Sequence, residues 1–321
     1  MSSRISRIFL VALVVVSSLA ASVAESAKDM LAAGRIDDAI AELNGRLAAT
    51  PTDAELSNLL CRAYYALEDW DRSESSCRKA VSIDAENSRY HLWLGRVYGE
   101  KADRANFIAA ASLAVKVRGE LEHAVQLNPK NLDARFDLAE FYIEAPSMMG
   151  GGEQKARAQA QAIALLNPAR EHWVYARIAE HKKEVATAER EYHQFVEVSN
   201  GDAEAWLNLA LFLRRQARLD EMEQAIVRLG QTQAYKGAGL VEGSGLLYRT
   251  SRNFPLAAEL LQRYLGGEPV EGAPAFKAHY LLGAVLEKQG DRVGAAREYR
   301  ASLSLVRNYS SAQQGLSRVA H

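Results

Sequence analysis

Cysteine and proline are scarce in this 321-residue chain, with two of the first and seven of the second. With 21 glycines, so little proline excludes a low-complexity or disordered chain. An excess of charge of either sign is also missing. There are 39 Lys and Arg against 40 Asp and Glu, a net charge of −1, which argues against nucleic acid as a partner held by a basic face. Alternating Val, Ile and Thr are nearly absent beyond the first 25 residues, so strands have little support. What is abundant is Ala, Leu, Glu and Arg, a composition that favours helix.

The first residues form a unit of their own. Arg4 and Arg7 make a positive leader, Ile8 to Val16 is an apolar core, and "SSLAASVA" places the small residues Ser22 and Ala24 for cleavage after Ala24. The pattern predicts a signal peptide over 1–24 and a periplasmic or secreted mature protein; the alternative is an uncleaved anchor. The apolar run is shorter than the roughly 20 residues a spanning helix needs, and no later segment reads as a membrane span. No cysteine follows the cut, which argues against a lipid-anchored protein. Losing Arg4 and Arg7 leaves 37 basic against 40 acidic residues, about −3.

The rest of the chain repeats. A small residue, an apolar residue four later, a packing residue three after that and often a proline five further recur. Ala39, Leu43, Arg46 and Pro51 fit apart from the Arg; so do Val117, Leu121, Ala124 and Pro129, then Ala156, Ala160, Ile163 and Pro168, then Ala257, Leu261, Tyr264 and Pro269. Looser copies start at Ser73, Ala188, Met222 and Ala295, and the steps between these anchors are 34, 44, 39, 32, 34, 35 and 38 residues. Upstream of the anchors lies a second set spaced three, one, three, as in His91, Leu94, Gly95 and Tyr98, or His279, Leu282, Gly283 and Leu286. Both have the spacing of an amphipathic helix. A small residue at Gly95, Ala139, Ala210, Gly245 or Gly283 predicts close helix approach. The prolines are expected to end the second helix, and Gly34 and Gly290 to cap the first in left-handed conformation.

This pattern resembles the tetratricopeptide repeat, a helix–turn–helix unit of 34 residues. The resemblance implies an all-α solenoid, a right-handed superhelix of about eight units over 25–307, followed by a capping helix and tail over 308–321. Ser310 to Val319 reads as that helix, and Lys28 to Gly34 as the stub of the first unit's leading helix. Residues 91 to 168, with a lengthened unit at Gly99 to Ala124 and a Pro-x-x-x-Gly-Gly turn, also look like a bacterial subgroup that includes relatives of the regulators of microtubule dynamics.

The family's concave surface, carried onto this sequence, comprises Asn58, Arg62, Tyr65, Leu92, Arg96, Phe136, Glu140, Trp173, Arg177, Leu207, Leu211 and Arg214, with Tyr280 continuing the line. Aromatic and arginine side chains are the types enriched in binding hot spots, and arginines offer forked donors to carboxylates. The resemblance therefore implies a protein or peptide partner. The lysine and asparagine set that captures a free peptide C-terminus in some such repeats is not supplied. Cys61 and Cys77 fall on positions that face each other within one unit, which suggests a disulfide in an exported protein; two buried thiols are the alternative.

Catalytic and metal motifs are weak. "IEAPSMMGGGEQKA", Ile143 to Ala156, places three glycines before a helix-like run with a lysine. A phosphate loop needs G-x-x-x-x-G-K-[ST] after a strand, and no Lys-Ser or Lys-Thr follows Gly152. The stretch reads as a long turn, with a weak anion site as the lesser reading. His172, His181 and His193 lack H-E-x-x-H spacing, and no nucleophile arrangement stands out. The expectation is a non-catalytic scaffold without cofactor or metal, its oligomeric state open. The alternative is an accessory of a periplasmic solute-uptake system that binds a small molecule or solute receptor.

If Cys61 and Cys77 are bridged, thiol titration in denaturant gives no free thiol before reduction and two after it. Closing a loop of this size contributes about 3 kcal/mol, so reduction lowers the unfolding temperature.

Overall fold

The computed structural model describes residues 27–232 and 237–320, so the leader expected over 1–24 lies outside the described residues. Within them the chain is helical, with no strand. Residues 27–32 form a helical stretch that turns into α1 (Ile36–Ala49). Seven helix pairs follow: α2 (Ala54–Ala66) with α3 (Trp70–Ile83), α4 (Ser88–Asp103) with α5 (Phe107–Leu127), α6 (Leu132–Glu144) with α7 (Glu153–Ala164), and α8 (Pro168–His181) with α9 (Val185–Val198). Then come α10 (Ala203–Arg215) with α11 (Leu219–Gln231), α12 (Gly239–Arg249) with α13 (Phe254–Leu265), and α14 (Ala275–Gln289) with α15 (Arg292–Leu305). A last helix, α16 (Ser310–Val319), lies against α15.

Local chemistry sets these boundaries. Asp53, Asp69, Asn87, Asn131, Asn167 and Asp291 each accept a backbone N–H in the first turn of the helix they precede. Such a cap contributes about 1 kcal/mol. The first helix of most pairs ends in one recurring turn, in which an N–H reaches back five residues: Arg35 to Met30, Asp69 to Tyr64, Glu184 to Ala179, Arg218 to Leu213, Arg252 to Leu247 and Asp291 to Leu286, all at 2.8–3.0 Å. The residue just before each donor has positive φ. Gly34 and Gly290 take that place as expected, but Glu68, Lys183, Ala217 and Ser251 take it elsewhere. The turn's hydrogen bonds thus hold side-chain-bearing residues in a left-handed conformation that glycine adopts freely.

Prolines do less than the sequence suggests. Pro51 and Pro129 lie in turns between pairs. Pro168, expected to end a helix, instead opens α8, where a missing N–H breaks no intrahelical bond.

The small residues of the first helices do mark close approach. A Cβ added at Gly95 would lie 2.9 Å from Leu121 Cδ2, and one at Gly283 2.8 Å from the Tyr299 ring. In the α2–α3 pair the same two positions hold Cys61 and Cys77. They are joined by a disulfide, with Cα atoms 5.1 Å apart.

The two ends of the array meet. Ala27, Leu31, Ile36, Leu43, Leu59 and Tyr64 share a buried cluster with Phe276 and Val306. Gly34 packs so tightly that a Cβ there would fall 2.6 Å from the Ala275 nitrogen. Arg62 pairs with Glu271 (Nε to Oε1, 2.7 Å), Lys277 with Glu68 (2.8 Å), and the Arg307 N–H with Asp37 (3.0 Å). The first and last units of the superhelical solenoid are therefore in contact, and the array makes one closed turn, a ring. A cleft of about 770 Å³ runs along this seam, lined by Asp37, Glu68, Arg72, Lys277, Arg307 and Tyr309.

Gly283→Val drives two methyls into Tyr299 and should lower the unfolding free energy by about 1–3 kcal/mol in urea titration. Gly45, inside α1 with no atom within 4 Å of an added Cβ, provides the contrast. Gly45→Ala should raise stability by about 0.5–1 kcal/mol.

Candidate functional site: the inner wall of the ring

First helices of successive pairs touch one another: α2 with α4, α4 with α6, α6 with α8, α10 with α12, and α12 with α14. Helices that close neighbours must lie on the inner side of the curve, so these helices form the ring's inner wall. The residues expected to line a groove divide into three groups.

Asn58, Leu92 and Leu207 are buried and present almost no surface. Their helix faces are covered by the adjoining pair, which periodicity within one helix does not reveal. A second group sits on the wall but is bound to it. Arg62 is held by Glu271 and lies 5.5 Å from the centre of the Trp93 ring. Arg96 donates to Asp137 (2.6 Å) and also approaches Trp93. Tyr65 packs edge-on to Trp70 and Trp93 and donates to Glu100. Burial, reinforced by that carboxylate, raises its hydroxyl well above the usual range. Phe136 and Trp173 meet edge to face at 5.1 Å, and the indole N–H donates to Asn208 (2.9 Å). Arg177 binds Glu140, Glu144 and Glu180 at 3.0, 2.9 and 3.3 Å. Burial opposes its charge, but the surrounding acids outweigh burial and raise its pKa.

The third group is open. Arg214 and Arg249 are exposed, and neither side chain makes a hydrogen bond or ion pair among the described residues. They come from successive first helices, α10 and α12, and their like charges act on each other. Desolvation, with Arg214 adding to it, lowers the Arg249 pKa against the pull of Glu242. Desolvation also raises the Glu242 carboxyl. Leu211 and Tyr280 are half-exposed on the same wall, Tyr280 near Tyr248. Sequence reading missed Arg249 and Glu242. They stand 35 residues after Leu207 and Arg214, at the equivalent places of the next unit's first helix, and that repeat offset is the signal that could have found them.

The glycine run is a turn between α6 and α7. The N–H groups of Gly150, Gly151 and Gly152 donate to the carbonyls of Ser147, Pro146 and Tyr142 at 2.9, 3.3 and 2.8 Å, and Lys155 donates to the Gly150 carbonyl. Those donors are occupied within the loop itself. Gly151 is required there, since a Cβ would fall 1.8 Å from the Ala145 oxygen. Met148 projects from the loop, 82% exposed. The histidines that open first helices are spent on packing partners: His91 on Glu120, His172 on Glu191 and His279 on Glu298. Among the described residues no group of three or more His, Cys, Asp or Glu is placed to hold a metal, and no helix is long and apolar enough to cross a membrane.

Residues 30–98 and 243–312 each match a family model described as Tetratricopeptide repeat, at the two ends that meet in the ring. The fold is a tetratricopeptide-repeat solenoid. Among solved structures, yeast Tom70 is similar at 15% identity and a TM-score of 0.53, over 89% of this chain and 58% of that one. A thermophilic tetratricopeptide-repeat protein of Thermus thermophilus is 17% identical over 60% of this chain and 97% of its own, with a TM-score of 0.49. The APC/C hetero-tetramer Cut9–Hcn1 aligns at 13% identity and a TM-score of 0.40 over 92% of this chain, which spans only 55% of the length of that one. At such identities the likeness concerns the fold alone. No curated protein matches the sequence.

Trp173 belongs to the packing of three buried clusters, so Trp173→Ala should lower the unfolding free energy by about 2–4 kcal/mol. Arg214→Ala, at an exposed and unpaired site, should stay within about 0.5 kcal/mol of wild type in the same urea titration.

Proposed function

We propose that this chain is an exported, non-catalytic scaffold that holds a protein or peptide partner against the inner wall of its repeat array. Tetratricopeptide-repeat proteins mediate protein–protein interaction, and repeat models match both ends of this one. The observation that carries the reading is the Arg214–Arg249 patch. Neither guanidinium has a hydrogen-bonded carboxylate among the described residues, and their like charges act on each other against only the pull of Glu242 on Arg249, so both gain when an acidic partner group binds. Elsewhere on the wall Arg62, Arg96 and Arg177 are already matched by the chain's own acids, so in the closed ring this attraction is strongest at one sector.

Export is supported by the leader of Arg4, Arg7 and Ile8 to Val16 and by the Cys61–Cys77 bridge, since disulfides persist in oxidising compartments. The non-catalytic reading is supported by the engagement of the histidines with packing glutamates. The protein should be released by osmotic shock, and sequencing of its N-terminus should begin at Glu25. Recovery with Met1 retained would sink the cleavage.

Affinity capture from a periplasmic extract tests the binding. The double variant Arg214→Ala, Arg249→Ala should retain about ten-fold less of the wild type's partner. Arg228→Ala, on the second helix α11, should retain it fully. Equal retention by the double variant, or no protein retained by wild type, would remove the proposal.

A further inference from the structure

Arg62 lies in the wall of α2, yet its partner comes from the far end of the chain. Glu271 sits in the connection over 266–274, which has no regular structure and reads "GGEPVEGAP". Tyr264 fastens that connection on both sides of Glu271. Its hydroxyl accepts the Val270 N–H at 2.8 Å and donates to the Ala273 carbonyl at 2.5 Å. The tip between those two points carries Glu271 onto Arg62, where both carboxylate oxygens engage the guanidinium across 209 residues of sequence.

The site is larger than that one carboxylate uses. The Arg62 Nη1 is buried and has no hydrogen-bond partner among the described residues. One turn earlier on the same face, Asn58 is fully buried, and neither atom of its side-chain amide has a partner among the described residues. Buried polar groups without partners are rare, because each has given up water for nothing. Three such atoms lie together here, on Asn58 and Arg62, at an arginine that a carboxylate already occupies.

We infer that the Asn58–Arg62 face of α2 is a docking point for an acidic side chain of the bound protein or peptide, and that Glu271 fills it in the closed ring as an internal stand-in. The inference rests on the scaffold reading above and adds to it the chemistry of the partner and the route of entry. An incoming carboxylate that replaces Glu271 never leaves the buried guanidinium unpaired, so exchange avoids the large penalty of stripping it bare. An extended segment also brings backbone carbonyls that can accept from Arg62 Nη1, which Glu271 alone does not. Once Glu271 leaves, the ionic contacts described at the seam are Lys277–Glu68 and Arg307–Asp37, whose exposed members salt screens, beside the packing of Gly34, Phe276 and Val306. Binding at α2 therefore favours an opened ring.

The test uses the full chain and a fluorescein-labelled glutamate-rich peptide with an amidated C-terminus, so that only side-chain carboxylates are offered. By fluorescence anisotropy, Glu271→Gln should bind this peptide about ten-fold more tightly than wild type, and Arg62→Ala added to it should abolish the gain. Small-angle scattering of Glu271→Gln should show a wider particle at unchanged helicity. An affinity equal to wild type, or a gain that survives Arg62→Ala, overturns the inference. If Glu271→Gln loses helicity, wild type carries the test: saturating peptide must quicken amide exchange across residues 275–281, and unchanged exchange overturns it. None of these readouts needs the natural partner. Failure of the capture experiment with a positive result here would sink the scaffold reading while leaving the stand-in intact.

Discussion

A helix pair of this kind cannot bury its apolar face alone; it needs another pair laid against it. Every pair in the middle of such an array is supplied by its neighbours, and the difficulty falls on the two ends. This chain meets it in two ways. The helix α16 covers part of the last pair, with Gly315 against the Tyr299 ring and Ala312 and Val319 buried. The remaining face of that pair goes to the first one, through Phe276 and Val306. The ring thus follows from the same requirement that builds each junction along the array.

Closure also governs the electrostatics. The inner wall is crowded with charge, and most of it is internally matched: Arg96 with Asp137, Arg170 with Glu204, Arg177 with three glutamates, Arg62 with Glu271. Matched pairs on neighbouring helices fix the angle between units and offer little to a visitor. The side chains of Arg214 and Arg249 have no hydrogen-bonded acid among the described residues.

Much of the fold was legible from the sequence, because the signals are local. The three-and-four spacings found the helix pairs, Gly95 and Gly283 marked the tight contacts, and Ser310 to Val319 marked the last helix. The turn glycines were legible in part. Gly34 and Gly290 announce a left-handed residue, whereas Ala217 and Ser251 take the same conformation without any sequence sign, held by hydrogen bonds to the preceding helix. The seam was illegible. Nothing near Arg62 predicts Glu271, and nothing near Asp37 predicts Arg307, because these contacts depend on the summed curvature of all the units between them. The wall residues suffered likewise. Asn58 and Leu92 have the right spacing for an inner face, but their burial is decided by a neighbouring unit.

A linear array has a gradient built into it: its terminal units have one neighbour, so they fray first and disorder spreads inward. Joining Phe276 and Val306 to the first unit removes that boundary. Each unit then has support on both sides, and disorder has no natural starting point except the weakest junction. The seam is apolar at its centre and largely ionic at its edges. Losing it does not shorten the array; it restores two ends, and with them the graded, end-first behaviour of an ordinary solenoid.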